Sequence, residues 1–149
     1  MSRTFTNLLT HLIFSTKHRE PMIVPEIEPE LYHYLGGLTR DLKGKAYGIN
    51  GTCDHVHMLV SLPPVISLSD ALCYLKANSS GWIHNKWPHQ PFAWQLGYGA
   101  FSVSSSNVLD VLKYIANQKE HHRTVTFKEE FVQFLIKYGV EYDERYIWD

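Results

Sequence analysis

The chain has 149 residues, 44% of them apolar and 19% charged, and a formal net charge of −1. That length supports one domain with a sizeable core, and that charge excludes a bulk basic surface as the basis of any nucleic-acid binding. No apolar run approaches the roughly 20 residues that span a bilayer, Met1 to Thr6 is too polar for a signal peptide, and Cys53 and Cys73 fit neither a disulfide framework nor a four-ligand zinc pattern, so a cytoplasmic, reducing location is expected.

In chain order, Asn7–Ser15 is mostly apolar and reads as a central strand. A loop over Thr16–Pro25 carries Lys17, His18 and Arg19. Leu31, Leu35, Leu38 and Leu42 recur at helical spacing, which predicts a helix over Glu26–Leu42, weakened in its middle by Gly36-Gly37. Ala46–Asn50 is a second strand, ended by the Asn50-Gly51 hairpin signal. His55–Leu62 is a third, stopped by Pro63-Pro64. Ser67 or Ser69 caps a helix that runs to about His84. Gln95–Val103 is a fourth strand, with Gly97 and Gly99 allowing close backbone approach. Ser104-Ser105-Ser106 leads into a helix over Asn107–Glu120. Thr126-Phe127-Lys128-Glu129 is a capping box that opens a last helix to about Tyr138.

The order β-α-β-β-α-β predicts an α+β fold, the ferredoxin-like split βαβ arrangement: an antiparallel sheet with helices on one face, plus C-terminal helices. The other sheet face is expected to be free for a site or a partner. With no repeat, linker or low-complexity segment, residues 1–149 read as one domain. Residues 1–123 carry eleven Lys/Arg against nine Asp/Glu, and residues 124–149 three against six, so any DNA contact has to be local.

Two short patterns carry chemistry. In Cys53-Asp54-His55-Val56-His57-Met58-Leu59-Val60, strand alternation points His55 and His57 the same way and Val56 and Met58 the other. Two such imidazoles can share one metal ion if a third ligand comes from elsewhere; the plainer reading is two polar residues on a wet sheet face. In Lys113-Tyr114-Ile115-Ala116-Asn117-Gln118, Tyr114 and Gln118 lie one helical turn apart on one face. Alone, this pair reads as a packed tyrosine and a solvated amide. Beside His55 and His57, Gln118 becomes a candidate third ligand that sets Tyr114 next to the metal, with an open position for a phosphate oxygen.

These patterns resemble those of the single-tyrosine HUH transposases, the TnpA-type insertion-sequence transposases and their REP-associated relatives. His55-Val56-His57 matches the HUH motif and Tyr114 to Gln118 the Tyr-x-x-x-Gln helix. The likeness extends to Phe14-Ser15-Thr16-Lys17-His18-Arg19, to Trp94-Gln95-Leu96-Gly97-Tyr98-Gly99-Ala100-Phe101, to Asn117-Gln118-Lys119-Glu120-His121-His122 and to Tyr142-Asp143-Glu144-Arg145-Tyr146, so it covers nearly the whole chain. It implies a transposase that cuts and rejoins single-stranded DNA. His55, His57 and Gln118 would bind a divalent ion, Mg2+ or Mn2+, and Tyr114 would attack the scissile phosphate to form a 5′-phosphotyrosine. It also implies hairpin-ended single-stranded DNA as partner and a homodimer in which the tyrosine helix is exchanged. Two imidazoles alone would suit zinc or manganese better than magnesium. A free tyrosine has a pKa near 10, and no residue in the sequence identifies itself as the acceptor of the Tyr114 proton.

Other residues carry weaker expectations. Asp54 either orients a histidine or simply shapes the turn, since alternation points it away from His55. Lys17, Arg19, Lys76, Lys113, Lys119 and Arg123 are candidate phosphate contacts, and His121 and His122 candidate DNA contacts; a solvated surface accounts for them as simply. Trp82, Trp87, Phe92 and Trp94 could stack on unpaired bases, although aromatics interleaved with leucine usually belong to a core. Two other functions share the pattern. A cupin-type or hydrolytic His-x-His metal enzyme wants a glutamate soon after the second histidine, where this chain has Met58 to Leu62. A domesticated, non-transposing DNA-binding protein on the same fold is separable only by a cleavage assay.

Overall fold

The computed structural model describes residues 3–149. Alternation along β1 (Leu9–Ser15) and β3 (His55–Ser61) sorts their side chains onto two sheet faces. Among the described residues, these strands form one antiparallel sheet with β2 (Lys45–Gly51) and β4 (Gly99–Ser102), in the order β2-β3-β1-β4. β1 is central, with Leu12 opposite Met58 and Phe14 opposite Val56 on one side, and His11 opposite Phe101 on the other. This is the expected split βαβ topology.

The first face carries Leu12, Phe14, Val56, Met58 and Val60. Two helices cover it: α1 (Glu28–Asp41) through Leu31, Leu35 and Leu38, and α2 (Leu68–Lys86) through Leu72, Leu75 and Ile83. Each such fully buried side chain stabilises the fold by about 1.5–3 kcal/mol relative to exposure. The Ser67 hydroxyl caps α2 by accepting from the Asp70 amide at 3.1 Å. α1 runs unbroken through Gly36-Gly37, because its leucine stripe is fully packed. None of the helices among the described residues is long and apolar enough to cross a membrane.

The second face is not free. Ile13, Leu59 and Phe101 leave it apolar on this side too, and three further helices cover it. These are α3 (Val108–Ala116), α4 (Gln118–His121) and α5 (Phe127–Lys137). Phe127, Phe131 and Leu135 of α5 pack on Ile13 and Phe101. Two glycines permit this approach: a Cβ on Gly48 would lie 2.8 Å from the Leu112 side chain of α3, and one on Gly99 would lie 2.8 Å from the Phe131 ring. The capping box forms as expected, with Thr126 accepting from the Glu129 amide and the Glu129 carboxylate accepting from the Thr126 amide.

Two elements differ from expectation. β4 is shorter than Gln95–Val103, because residues 94–95 pair only briefly with the end of β1 before the chain turns out. There the Gln95 side chain accepts from the Ser15 amide at 2.7 Å, and the Gly97 amide donates to Asp149 at 3.0 Å. The helix expected over Asn107–Glu120 breaks at Asn117 into α3 and α4. The Asn50 side chain donates to the Ile115 and Ala116 carbonyls at 2.9 and 3.2 Å, satisfying the end of α3 and anchoring it to β2.

Candidate active site

β3 opens on a tight turn that orients its first histidine. Thr52 Oγ1 donates to Asp54 Oδ1 at 2.9 Å, and that carboxylate lies 2.7 Å from His55 Nδ1. A carboxylate only accepts, so Nδ1 carries a proton and Nε2 is the nitrogen that faces inward. Asp54 therefore orients His55 as well as shaping the turn. It precedes the strand, which is why strand alternation does not describe it. Two residues on, His57 Nδ1 lies 2.8 Å from Nε2 of His11, a buried histidine of β1. His55 and His57 are fully buried.

The C-terminal helices bring the remaining groups over this pair. Tyr114, near the end of α3, has its ring 5.7 Å from that of His57. Gln118 opens α4 and sets Oε1 3.1 Å from His55 Nε2. His122 follows α4; its Nδ1 donates to the Val125 carbonyl at 2.6 Å, so its Nε2 also faces inward as a lone pair when the ring is neutral. Glu130, on the first turns of α5, sits at the centre. Its Oε1 lies 2.9 Å from His57 Nε2, 3.0 Å from His122 Nε2 and 3.5 Å from His55 Nε2. Its Oε2 accepts the Tyr114 hydroxyl and lies 3.3 Å from both Gln118 Nε2 and His121 Nε2.

Burial and this carboxylate set the protonation pattern. Burial, opposed by the hydrogen bond to Glu130, lowers His57 to about 4; burial and the neighbouring His57 lower His11 to about 3. Burial works against charge on His122 and on Glu130 alike, yet each favours the ionised form of the other, so His122 is raised and Glu130 lowered. Burial and the Glu130 hydrogen bond push the Tyr114 phenol above its ordinary range.

A divalent cation suits this donor set. One ligand atom each from His55, His57, His122 and Glu130 lies within 4.8 Å of the others. The buried His122 Nε2 faces Glu130 Oε1 at 3.0 Å, and His55 Nε2 faces the Gln118 amide oxygen at 3.1 Å. A positive ion held among them would be coordinated by nitrogen and oxygen lone pairs together.

The four residues expected from the two motifs, His55, His57, Tyr114 and Gln118, are brought together. Glu130 and His11 join them without any sequence signal. His121 and His122, expected at most as DNA contacts, face this site instead. The other candidate DNA contacts are scattered. Arg19 donates to the Trp148 carbonyl at 2.6 Å, Lys119 pairs with Glu28 at 2.9 Å, and Arg123 pairs with Glu120 at 3.1 Å; Lys17 and Lys113 are exposed on separate elements. Lys76 is spent on the Leu96 and Gly97 carbonyls. Phe92 and Trp94 are core, and Trp82 stacks on Tyr34 at 4.3 Å and meets Trp87 edge-on. A cavity of about 770 Å³ opens beside Tyr114, lined also by His11, Asn107, Gln133, Lys137 and Tyr138.

A family model described as "Transposase IS200 like" matches residues 4–118. The transposases for insertion sequence element IS200 of Salmonella typhimurium (strain LT2) and Salmonella typhi are each 26% identical to this chain over 129 residues, 83% of this chain and 84% of theirs. Among solved structures, a Deinococcus radiodurans R1 protein assigned as a transposase aligns with a TM-score of 0.64 at 24% identity, over 79% of this chain and 95% of that one. A REP-associated tyrosine transposase bound to a REP hairpin aligns with a TM-score of 0.62 at 14% identity, over 84% of this chain and 74% of that one. Both structural likenesses are of fold.

Proposed function

The chain belongs to the IS200-like transposase family, and on that premise we propose that it cuts and rejoins single-stranded DNA at insertion-sequence ends through a covalent bond from Tyr114 to a DNA 5′-phosphate. The observation that carries this reading is the seat of Tyr114. Its hydroxyl is held by Glu130, which also contacts His57, at the edge of a cavity of about 770 Å³.

His55, His57 and Gln118 are the ligand set for the divalent ion, Mg2+ or Mn2+. Such an ion supplies Lewis-acid polarisation of the scissile phosphate and stabilises charge in the transition state. The protein's own residues do the rest. Asp54 and His11 fix the two imidazoles. Tyr114 Oη attacks phosphorus and gives up its proton; the P–O3′ bond breaks, and the departing oxygen takes a proton to become a 3′-hydroxyl. A 3′-hydroxyl later attacks the phosphotyrosine, and Tyr114 regains its proton. One phosphoester replaces another at each step, so rejoining consumes no nucleoside triphosphate.

The substrate in this reading is single-stranded DNA folded into hairpins near the element ends, as the REP hairpin bound to the REP-associated neighbour suggests. The protein would act in the cytoplasm as a homodimer. A single-stranded oligonucleotide carrying the imperfect palindromes that flank the gene tests this. It should yield a 5′ fragment with a free 3′-hydroxyl and a 3′ fragment linked to the protein through its 5′-phosphate, while the fully paired duplex stays uncut. Equal cutting of the duplex, or a free 5′-phosphate as the only new end, would overturn the reading.

A further inference from the structure

Glu130 lies outside residues 4–118, the span matched by the family, and outside both sequence motifs. It is 1% exposed. A buried carboxylate is costly unless charge or hydrogen bonds compensate it, and here every compensating group belongs to the candidate active site. The two oxygens divide the work. Oε1 turns to the imidazole nitrogens, 2.9 Å from His57, 3.0 Å from His122 and 3.5 Å from His55. Oε2 accepts the hydroxyl of Tyr114. Asp54 and the Val125 carbonyl engage Nδ1 of His55 and His122, leaving the Nε2 atoms to offer lone pairs once deprotonated. Lone pairs and a carboxylate oxygen around one point form a cation's donor set.

We propose that Glu130 is itself a ligand of the divalent ion through Oε1, while Oε2 keeps the Tyr114 hydroxyl beside that ion, so that one carboxylate links metal and nucleophile. The inference rests on the metal-dependent reading given above and extends its ligand set to α5. A hard carboxylate oxygen added to two imidazoles and an amide oxygen moves the site toward Mn2+ and Mg2+, which two imidazoles alone would not favour. Glu130 is then a positioning residue for Tyr114 as well as a ligand.

The test measures binding rather than turnover. Mn2+ is titrated calorimetrically into the full-length wild-type protein and into Glu130→Gln, Glu130→Asp and Glu129→Gln, with folding checked by thermal melts in chelator. The visible absorption of the Co2+-loaded proteins reports the coordination. Loss of a ligand should weaken Mn2+ binding at least ~10-fold in Glu130→Gln and shift its Co2+ bands. Glu130→Asp should fall between Glu130→Gln and wild type, and Glu129→Gln, an exposed carboxylate on the same helix, should match wild type. If wild type binds no Mn2+, the metal-dependent reading itself fails and this inference with it. If wild type binds and Glu130→Gln binds within about twofold with unchanged Co2+ bands, Glu130 is not a ligand and the His55, His57 and Gln118 set stands alone. Should Glu130→Gln not fold, Glu130→Asp decides: unaltered affinity and bands there overturn the proposal.

Discussion

His57 on β3 and Glu130 on α5 meet at 2.9 Å across the interface between sheet and helices, 73 residues apart in the chain. That contact joins two halves of one site. His11, His55 and His57 come from the sheet; Tyr114, Gln118, His121, His122 and Glu130 all follow Ser106. The seating of α5 against the sheet therefore sets the geometry of the chemistry.

Gly99 tests that dependence. A methyl group there would press on the Phe131 ring at 2.8 Å and on Phe101 at 3.0 Å. Two packed aromatic rings cannot step aside as a flexible side chain would. Gly99→Ala should cost about 1–3 kcal/mol of stability and, because Glu130 is the residue before Phe131, should slow cleavage more than hairpin binding. Denaturant melts together with gel-shift and cleavage assays check both. Unchanged stability and rate would mean α5 is not seated by this contact.

Much of this was legible in the sequence, and the reason is locality. Strand alternation, leucine spacing and the capping box at Thr126 are written in neighbouring residues, so the element order and the sheet topology follow from them. His55, His57, Tyr114 and Gln118 are spacing motifs of the same kind. Glu130 left no such trace, because a glutamate in the first turns of a helix is ordinary wherever the helix dipole favours negative charge. His11 sits in an apolar strand, and its partner His57 lies 46 residues away. Asn117 breaks a helix whose periodicity runs straight through it, because Asn50 on a different strand satisfies the freed carbonyls.

Metal removal should silence the protein. Chelation by EDTA should abolish cleavage, and Mn2+ or Mg2+ should restore it. His57→Ala should mimic chelation, while hairpin binding in a gel shift persists within a few fold. Cleavage that survives EDTA, or a His57→Ala variant with the normal rate, would rule out this metal site.

The metal-free protein should lose stability as the solution is acidified. Burial holds His11 at about 3 and His57 at about 4, against about 6.5 in an unfolded chain. Between those values the unfolded state binds more protons, so the stability these residues contribute is present above pH ~6.5 and lost as pH falls through that window. His122, raised in the folded state, works in the opposite sense: its contribution is present below pH ~6.5 and lost as pH rises through its folded value. Two lowered groups outweigh one, and the lowered Glu130 adds a further loss below about pH 4.5. Thermal melts in EDTA should fall from pH 6.5 to pH 4, with a shallower slope for His11→Gln. A melting temperature that holds steady or rises on acidification would contradict neutral buried imidazoles.

The dimer prediction follows from the division of the site at Ser106. Within one chain Tyr114 lies over its own His57. We propose that in the dimer the chain crosses between Ser102 and Asn107, an exposed polar segment apart from Val103, and carries Tyr114, Gln118 and Glu130 together to the partner. Mixing Tyr114→Phe with His57→Ala under subunit exchange should then restore part of the cleavage, since one site per heterodimer is intact. Tyr114→Phe with Glu130→Gln should show no rescue, because both residues travel on the same segment. No rescue by the first pair, with heterodimers confirmed by mass, would reject exchange and leave the chemistry standing.

Tyr114 is the proposed nucleophile, and the most direct measurement is to locate the covalent bond. The protein is reacted with a 5′-labelled or 3′-labelled single-stranded hairpin oligonucleotide in Mn2+, digested, and the nucleotide-bearing peptide sequenced by mass spectrometry, alongside Tyr114→Phe. The prediction is a 5′-phosphotyrosine on Tyr114 that retains the 3′ label, and no adduct in the Phe variant, which still binds the hairpin. An adduct on any other residue, or one that persists in Tyr114→Phe, would contradict it.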